Sequence, residues 1–439
     1  MERTIKKTRI AFYTFGCRLN QAETAIIEQS FSRKETQNLY EVVDYRESPD
    51  VLIVNTCTVT ENGDADTRRL VNRVIRNNPQ VKIALVGCQA QVQKDKLLEL
   101  PNIHWVVGNA AKMDMEKILR ESASDGPRVI TPTIRRESFT IPLAGIDPRH
   151  TRANLKIQDG CDFFCSFCEI PYARGRARSR EFDDILKEAE TLAQSGHHEL
   201  VLTGINIGTY QYQDKTLYDV IQQLSEIPEL LRIRISSIEP TTIDWRIIEL
   251  MAANTKLCRY LHIPLQSGSN TILQAMNRKY TVEEFADFIH RVREVIPEVC
   301  LGTDVIVGYP GEEEEEFQET YTTLLDLPLT YFHVFSYSER DHARSSKEAN
   351  KVAREHIRHR SQRLRELSQR KRMVYHERFI GSEQLVLFEQ RKNGYWSGLT
   401  DTYIRVLVES DKNIQNQLLP VRLEAIQGQH MVGKLLSFR

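Results

Sequence analysis

The 439-residue sequence predicts an α/β protein of three successive units: an N-terminal parallel α/β domain, a partial (βα)6 barrel and a small C-terminal β-barrel. Three observations carry this prediction. Short apolar runs alternate with helix-favouring stretches through residues 9–120, the pattern of a small parallel sheet. The alternation returns through residues 155–338 at the spacing of six βα units, as in an incomplete parallel barrel. After Gly381 the chain changes to short strands separated by turn residues, as in a small closed barrel. The length agrees, at roughly 150 residues per domain. The boundaries fall at 1–125, a linker at 126–145, then 146–375 and 376–439.

Composition narrows the class. At 41% hydrophobic and 27% charged residues, the chain reads as an ordinary soluble protein, long enough to bury a core without staples. No run reaches the roughly 18 apolar residues of a membrane span. Residues 1–7 (MERTIKK) lack the apolar region of a signal peptide, so the expected location is the cytoplasm. With 59 basic against 60 acidic residues, net charge is −1, and any polyanion site must be a local patch. Eight cysteines in a long cytosolic chain do not make a disulfide framework. Clustered cysteines in that compartment bind metal or react.

In the N-terminal unit, strands are predicted at 10–17, 51–57, 83–88 and 105–108, and the first three end in Cys17, Cys57 and Cys88. Ligand sites of open α/β sheets gather outside the carboxyl ends of the strands. Three cysteines at three such ends should therefore converge. One alone would read as a packing cysteine; three in the same position do not. Three thiolates without an obvious fourth suit a 4Fe–4S cluster with one iron open. Catalytic zinc is the competing reading, although such sites usually include histidine.

In the central unit, strands are predicted at 155–158, 200–203, 233–236, 261–265, 303–308 and 332–337, with helices such as 183–194 and 282–295 between them. The first strand leads into Gly160-Cys161-Asp162-Phe163-Phe164-Cys165-Ser166-Phe167-Cys168. Three thiolates within eight residues can wrap one iron–sulfur cubane, again leaving an iron without a protein ligand. Cys258 and Cys300 precede their strands, on the opposite face, and read as packing cysteines. The acidic run Glu312 to Glu316 reads as a solvated helix N-terminus.

At the end of the central unit, residues 346–379 are predicted to form a long basic helix with a narrow apolar stripe at Ile357, Leu364, Leu367 and Val374. The rest of that helix carries an excess of one charge, including Arg358, Arg363, Arg370, Lys371 and Arg372. Such a run is often a solvated face, but its single sign favours phosphate. Strands follow at 384–388, 403–409 and 420–426. Tyr395, Trp396 and Tyr403, beside Arg391, Lys392 and Arg405, could stack bases and neutralise phosphates. Core packing explains some of those aromatics equally well.

The cysteine loop resembles the cluster loop of radical S-adenosylmethionine enzymes. Its continuation through Arg180, together with residues 234–240 (RISSIEP), 262–269 (HIPLQSGS) and 304–312 (DVIVGYPGE), resembles the methylthiotransferase branch. Cys17, Cys57 and Cys88 match that family's second cluster site, and the C-terminal strands resemble its TRAM domain, an RNA-binding β-barrel. The resemblance covers almost the whole chain. It implies two 4Fe–4S clusters and two S-adenosylmethionine molecules, one the methyl donor and one the radical source. The reaction would convert C–H to C–SCH3 on carbon 2 of a modified adenosine beside the anticodon of tRNA. Chemistry would occur at the clusters, with no acid–base residue. Strand-end residues Thr203, Gly204, Asn206, Ser236, Ser237, Glu239 and Gln266 are the candidates for holding the cofactor, or else are caps and turns.

Residues 168–180 most resemble the branch acting on threonylcarbamoyladenosine, whose base carries a carboxylate. Arg174, Arg176, Arg178 and Arg180 are the nominees to bind it, or to bind phosphate or the cofactor's carboxylate. The isopentenyladenosine branch, suited by an apolar pocket, and the ribosomal-protein aspartate branch are the alternatives. A non-catalytic RNA-binding iron–sulfur protein is the alternative of another class. The expected partners are tRNA, an external electron donor and a sulfur source, with no membrane, and the chain is expected to be a monomer. Residues 338–345 (SERDHARS) depart from a Gly-Thr pair common in the family after the last barrel strand, so substrate contacts are not carried over there.

Overall fold

A computed structural model describes residues 6–58, 61–121, 127–142, 144–146, 150–253 and 256–436. The N-terminal sheet contains β1 (Thr8–Thr14), β2 (Tyr40–Val42), β3 (Val51–Thr56), β4 (Lys82–Gly87), β5 (Ile103–Val107) and β6 (Arg128–Ile130). All pairings are parallel, in the order β2-β1-β3-β4-β5-β6. Every residue of the central β3 is buried, which is why it reads as an unbroken apolar run. Helices cover both faces and enclose two apolar clusters, one around Leu52 and Leu85, the other around Ile53 and Trp105. Among them are α1 (Arg18–Phe31) and the short α2 (Cys88–Val92). The predicted linker supplies β6, the sixth strand. The two strands of this sheet absent from the sequence prediction, β2 and β6, are three-residue edges with exposed positions, too short to show a pattern.

The central unit has six parallel strands: β7 (Arg152–Lys156), β8 (Glu199–Thr203), β9 (Arg232–Ile235), β10 (Tyr260–His262), β11 (Cys300–Val307) and β12 (Tyr331–Ser336). They form two three-stranded sheets, joined by the bridges Ile233 to Leu257 and Ser237 to His262. The strands therefore follow sequence order, and β7 and β12 are left unpaired with each other. A short helix, α3 (Ile170–Arg174), follows the cysteine loop. Alternation along each strand separates two environments. Leu200, Leu202, Ile233, Ile235, Leu301 and Val305 pack outward against the helices. Glu199, Arg232, Arg234, Tyr260, Asp304 and Tyr331 occupy the opposite register and face the lumen.

The long helix α4 spans Arg354–Glu377, starting later than predicted and carrying the chain past the boundary expected at 375. Leu364 and Leu367 are buried, but Val374 is 61% exposed, and Tyr375 takes its place in the core. Of the acidic run, Glu313 and Glu316 form the capping box of helix Glu314–Asp326, whereas Glu312, expected to be solvated, is buried and paired with Arg360. A closed five-stranded barrel completes the chain: β13 (Glu383–Lys392), β14 (Tyr395–Leu399), β15 (Arg405–Glu409), β16 (Leu418–Gln427) and β17 (His430–Leu435). Tyr403 and Ile404, predicted to open a strand, form a turn with Tyr403 at φ 65°.

The small barrel closes the N-terminal mouth of the partial barrel. Arg152 pairs with Glu389 at 2.7 Å, Arg259 with Asp401 at 2.6 Å, and Arg232 donates to the carbonyls of Leu399 and Leu385. Arg234 donates to the carbonyls of Thr400 and Asp401. Tyr260, Cys300 and Tyr331 share an apolar cluster with Phe388, Trp396 and Val406 of the small barrel. Cys258 and Cys300 are buried packing residues at this end. No helix among the described residues is long and apolar enough to cross a membrane.

Candidate functional site

Strands β1, β3 and β4 are neighbours, so the residues just beyond them come together. Cys17 caps α1, Cys57 follows β3, and Cys88 opens α2. The approach is close enough to require glycine beside two of the three. A Cβ on Gly16 would lie 2.8 Å from Cys57 Sγ, and one on Gly87 only 2.3 Å from Asn55 Oδ1. Both glycines have positive φ, which they adopt without the strain other residues incur. Asn20 donates to the carbonyls of Phe15 and Thr56, tying the ends of β1 and β3.

The second triplet follows β7 within one loop. Cys161 Sγ accepts from the Phe163 amide at 3.5 Å, and Cys165 Sγ accepts from Arg278 Nη1 at 3.1 Å. Burial pushes the Cys161 thiol up to about 11 and raises Cys165 and Cys168 as well. Such thiols stay protonated until a bound cation deprotonates them. N–H donors aimed at sulfur are also what tunes an iron–sulfur cluster. The donor set, two triplets of thiols with N–H groups directed at their sulfurs, therefore fits iron–sulfur ligation.

The two triplets are joined by α3. At its N-terminus Glu169, next to Cys168, accepts a 2.7 Å hydrogen bond from Thr58, next to Cys57. At its C-terminus Arg174 Nε donates to Cys88 Sγ at 3.1 Å. Arg174 Nη1 bonds Glu23 and Asp159, and Nη2 bonds Asn20 and Glu23. Lys112 and Lys156 also pair with Glu23, and Lys156 and Arg178 with Asp159. Burial would raise the Glu23 carboxyl, but Arg174, Lys112 and Lys156 hold it well below its usual range. Four cations thus surround two carboxylates beside Cys88, and the surplus positive charge favours an anionic sulfur site.

The predicted cofactor residues gather at the carboxyl ends of β8, β9 and β10, the mouth that also holds the cysteine loop. Thr203 and Asn206 are buried, and Asn206 Nδ2 has no hydrogen-bond partner. Glu239 pairs with Arg278, the same arginine that reaches Cys165. Burial raises the Glu239 carboxyl, against the pull of Arg278. Gln266 adopts φ 72°, held between the Asp304 carbonyl and the Ile306 amide. Ser236 and Ser237 stay partly exposed at the mouth, and Gly204 lies in the turn after Thr203. An orphaned amide and a carboxylate–guanidinium pair at one strand-end rim suit an amino-acid-bearing cofactor.

Comparison with known proteins is consistent with this geometry. Residues 155–324 match the Radical SAM superfamily, and residues 9–108 match a family described as Uncharacterized protein family UPF0004. Threonylcarbamoyladenosine tRNA methylthiotransferase MtaB of Aquifex aeolicus is 37% identical, over 92% of this chain and 98% of its own. The protein of the same name from Bacillus subtilis is 37% identical, over 94% and 93%. The chain belongs to the radical S-adenosylmethionine methylthiotransferases. It is an enzyme that transfers sulfur-containing groups, in a family that uses S-adenosylmethionine and a 4Fe–4S cluster. A further relative, tRNA-2-methylthio-N(6)-dimethylallyladenosine synthase of Protochlamydia amoebophila, is 31% identical over 99% and 97%. Among solved structures, the radical S-adenosylmethionine methyltransferase TsrM of Kitasatospora setae shares the fold, with TM-score 0.56, 16% identity and 75% of each chain covered.

Within this methylthiotransferase the four nominated arginines have different surroundings. Arg174 and Arg180 are fully buried. Arg174 has all five donors engaged, and Arg180 is held by Asp184, Glu188 and the Lys156 carbonyl, so both are committed within the protein. Arg176 is half exposed and pairs with Asp162 at 2.7 Å. Arg178 pairs with Asp159 and keeps a buried Nε without a partner. Of the nominated RNA residues, Tyr403, Arg405 and Arg372 line one cavity of about 240 Å³ with Tyr331 and His333. Trp396 is buried in the barrel core. Arg358 is exposed on α4 and Tyr395 half-buried on β14. Arg363 lies over Phe317 and Tyr321, Arg370 donates to Tyr321, and Lys371 caps the carbonyls of Leu325 and Leu327. Sequence reasoning missed Arg278 and Glu169. Arg278 lies outside every motif, and Glu169, although within the motif after the cysteine loop, bonds to Thr58, a partner far along the chain.

Proposed function

We propose that this methylthiotransferase acts on tRNA, adding a methylthio group to carbon 2 of N6-threonylcarbamoyladenosine beside the anticodon. Cys161, Cys165 and Cys168 hold one 4Fe–4S cluster, and Cys17, Cys57 and Cys88 hold a second. When bound, the clusters and two S-adenosylmethionine molecules supply a carbon radical able to take hydrogen from an unactivated C–H and a methylated sulfur to replace it. The protein supplies position. Asn206, Ser236, Ser237, Gln266, Thr203, Gly204 and the Glu239–Arg278 pair hold the cofactor at the strand-end rim. Helix α3 fixes the separation of the two triplets. Arg358 and the aromatic and basic residues around Tyr403 face the RNA. The electron donor and sulfur source are external, and a tRNA substrate supports a cytoplasmic location.

The observation that carries this reading is the five-residue helix joining the triplets, Thr58 to Glu169 at one end and Cys88 to Arg174 at the other. A structural cluster needs no second cluster at fixed distance; transfer of sulfur to a radical site does. For the substrate, the support is the 37% identity to threonylcarbamoyladenosine enzymes along nearly the whole chain. One observation favours an isopentenyladenosine substrate: Phe167, Ile306 and Phe335 line a cavity of about 170 Å³ at the rim. Anaerobic incubation of reconstituted protein with reductant, sulfide, S-adenosylmethionine and tRNA of either kind, followed by nucleoside mass spectrometry, separates the two. The expected product is methylthio-threonylcarbamoyladenosine alone. Product from isopentenyladenosine alone would overturn the substrate choice, and no product from either would overturn the tRNA reading.

A further inference from the structure

Most of the cations around the lumen are matched to a carboxylate among the described residues. Arg152, Arg232 and Arg234 surround Glu199, Lys156 pairs with Glu23 and Asp159, and Arg278 pairs with Glu239. Arg18 makes no ion pair among the described residues. It directly follows Cys17 and opens α1. Its side chain leaves the N-terminal domain, donating from Nη2 to Tyr403 Oη at 2.8 Å, with the guanidinium 5.8 Å from the Tyr403 ring centre. Tyr403 stacks on the lumen residue Tyr260 at 4.5 Å. Arg18 Nη1 is buried without a hydrogen-bond partner. A buried, unsatisfied guanidinium donor is costly and is retained where a ligand completes it.

Beyond Tyr260 the lumen wall is a chain of hydroxyls and imidazoles. Tyr260 Oη lies 2.9 Å from Tyr331 Oη, which lies 3.3 Å from His262 Nδ1, and His262 Nε2 lies 3.0 Å from Asp304. The Asp304 carboxylate on this wall is thus engaged by His262. We propose that Arg18 binds the carboxylate carried on the modified base and so sets the enzyme's preference for an acidic substituent. The inference rests on the threonylcarbamoyladenosine reading. It adds the residue that reads the acid, which none of the four arginines near the cluster loop is as free to do. A guanidinium binds a carboxylate through two parallel charge-assisted hydrogen bonds. Its place beside Cys17 would hold the base next to the N-terminal thiols.

The test uses the full-length reconstituted protein and an anticodon stem-loop carrying threonylcarbamoyladenosine, either as the free acid or with its carboxylate converted to a carboxamide. Equilibrium binding by fluorescence anisotropy and nucleoside mass spectrometry are both read. Wild type is expected to bind the acid about 10- to 100-fold more tightly than the amide. Arg18→Gln should bind both at the amide level, and Arg18→Lys should keep part of the preference. Iron content and thermal midpoint report that each variant is folded, and the wild-type comparison of acid with amide needs no variant. The proposal is overturned if wild type does not distinguish acid from amide, or if Arg18→Gln keeps the preference. It is also overturned if the variant loses S-adenosylmethionine affinity instead. Wild type that modifies isopentenyladenosine and not the acid would instead overturn the substrate reading on which it rests.

Discussion

All five N–H groups of Arg174 are committed, to Cys88, Glu23, Asp159 and Asn20, although its place after the cysteine loop suggested a substrate ligand. Replacing it with methionine would leave Glu23 and Asp159 in a dry interior with Lys112, Lys156 and Arg178 alone to balance them. Breaking a buried pair in this way costs about 3–5 kcal/mol. We expect Arg174→Met to lower the denaturant midpoint accordingly. Iron should be lost from the Cys17, Cys57 and Cys88 site while the Cys161, Cys165 and Cys168 site retains its own. Iron analysis on variants lacking one triplet at a time checks this, and equal retention at both sites would contradict the role given to Arg174. The convergence of Cys17, Cys57 and Cys88 was legible in the sequence because each follows one of three strands that prove to be neighbours. Arg174, Arg278 and Arg18 were not, because the direction of a long side chain depends on which element packs opposite it.

Among the elements, the central strands were legible and the edges were not. A strand buried on both faces, such as β3, is an apolar run; β2 and β6 carry no such signal. The turn joining β13 to β14 did carry one. Asn393 and Gly394 both adopt positive φ, and Asn-Gly between two strands is the sequence mark of a tight hairpin. Helix α4 illustrates a subtler failure, since its buried residues include His376, which periodicity alone would leave in solvent. Burial, with Arg372 and His430 nearby, lowers the His376 imidazole from 6.5 to about 4. The folded protein therefore refuses a proton that the unfolded chain accepts. Stability present above pH 6.5 is lost as pH falls toward 4, by about 2 kcal/mol between pH 7 and 5. His376→Gln cannot take up that proton, so its denaturant midpoint should fall less than that of wild type over this range. Equal falls would show that other groups govern the acid response.

On the scale of the whole molecule, the three units are welded rather than strung together. The N-terminal domain meets the partial barrel through the Glu23 and Asp159 network, and Arg18 reaches from it to Tyr403 in the C-terminal unit. Sequence patterns located each unit, but they could not show that Arg152, Arg232, Arg234 and Arg259 spend their donors on the small barrel. A domain that only tethers RNA could be removed without harm to the rest. Here, removing residues 381–439 would strip Arg232 and Arg234 of their carbonyl partners and expose Tyr260, Tyr331, Tyr375 and Phe379 to water. Uncovered aromatic surface of that kind drives aggregation, and the orphaned guanidinium donors add a further penalty. The truncated chain is expected to be largely insoluble or to melt well below the full chain, with cysteine ligation lost alongside. Neutralising the exposed Arg391 and Lys392 tests RNA contact separately: it should leave the melting temperature unchanged and flatten the salt dependence of tRNA binding by about one phosphate contact per charge removed. A truncated chain that stays monodisperse and melts like the full protein would show instead that the barrel is an appendage and that the lumen holds its shape without a plug.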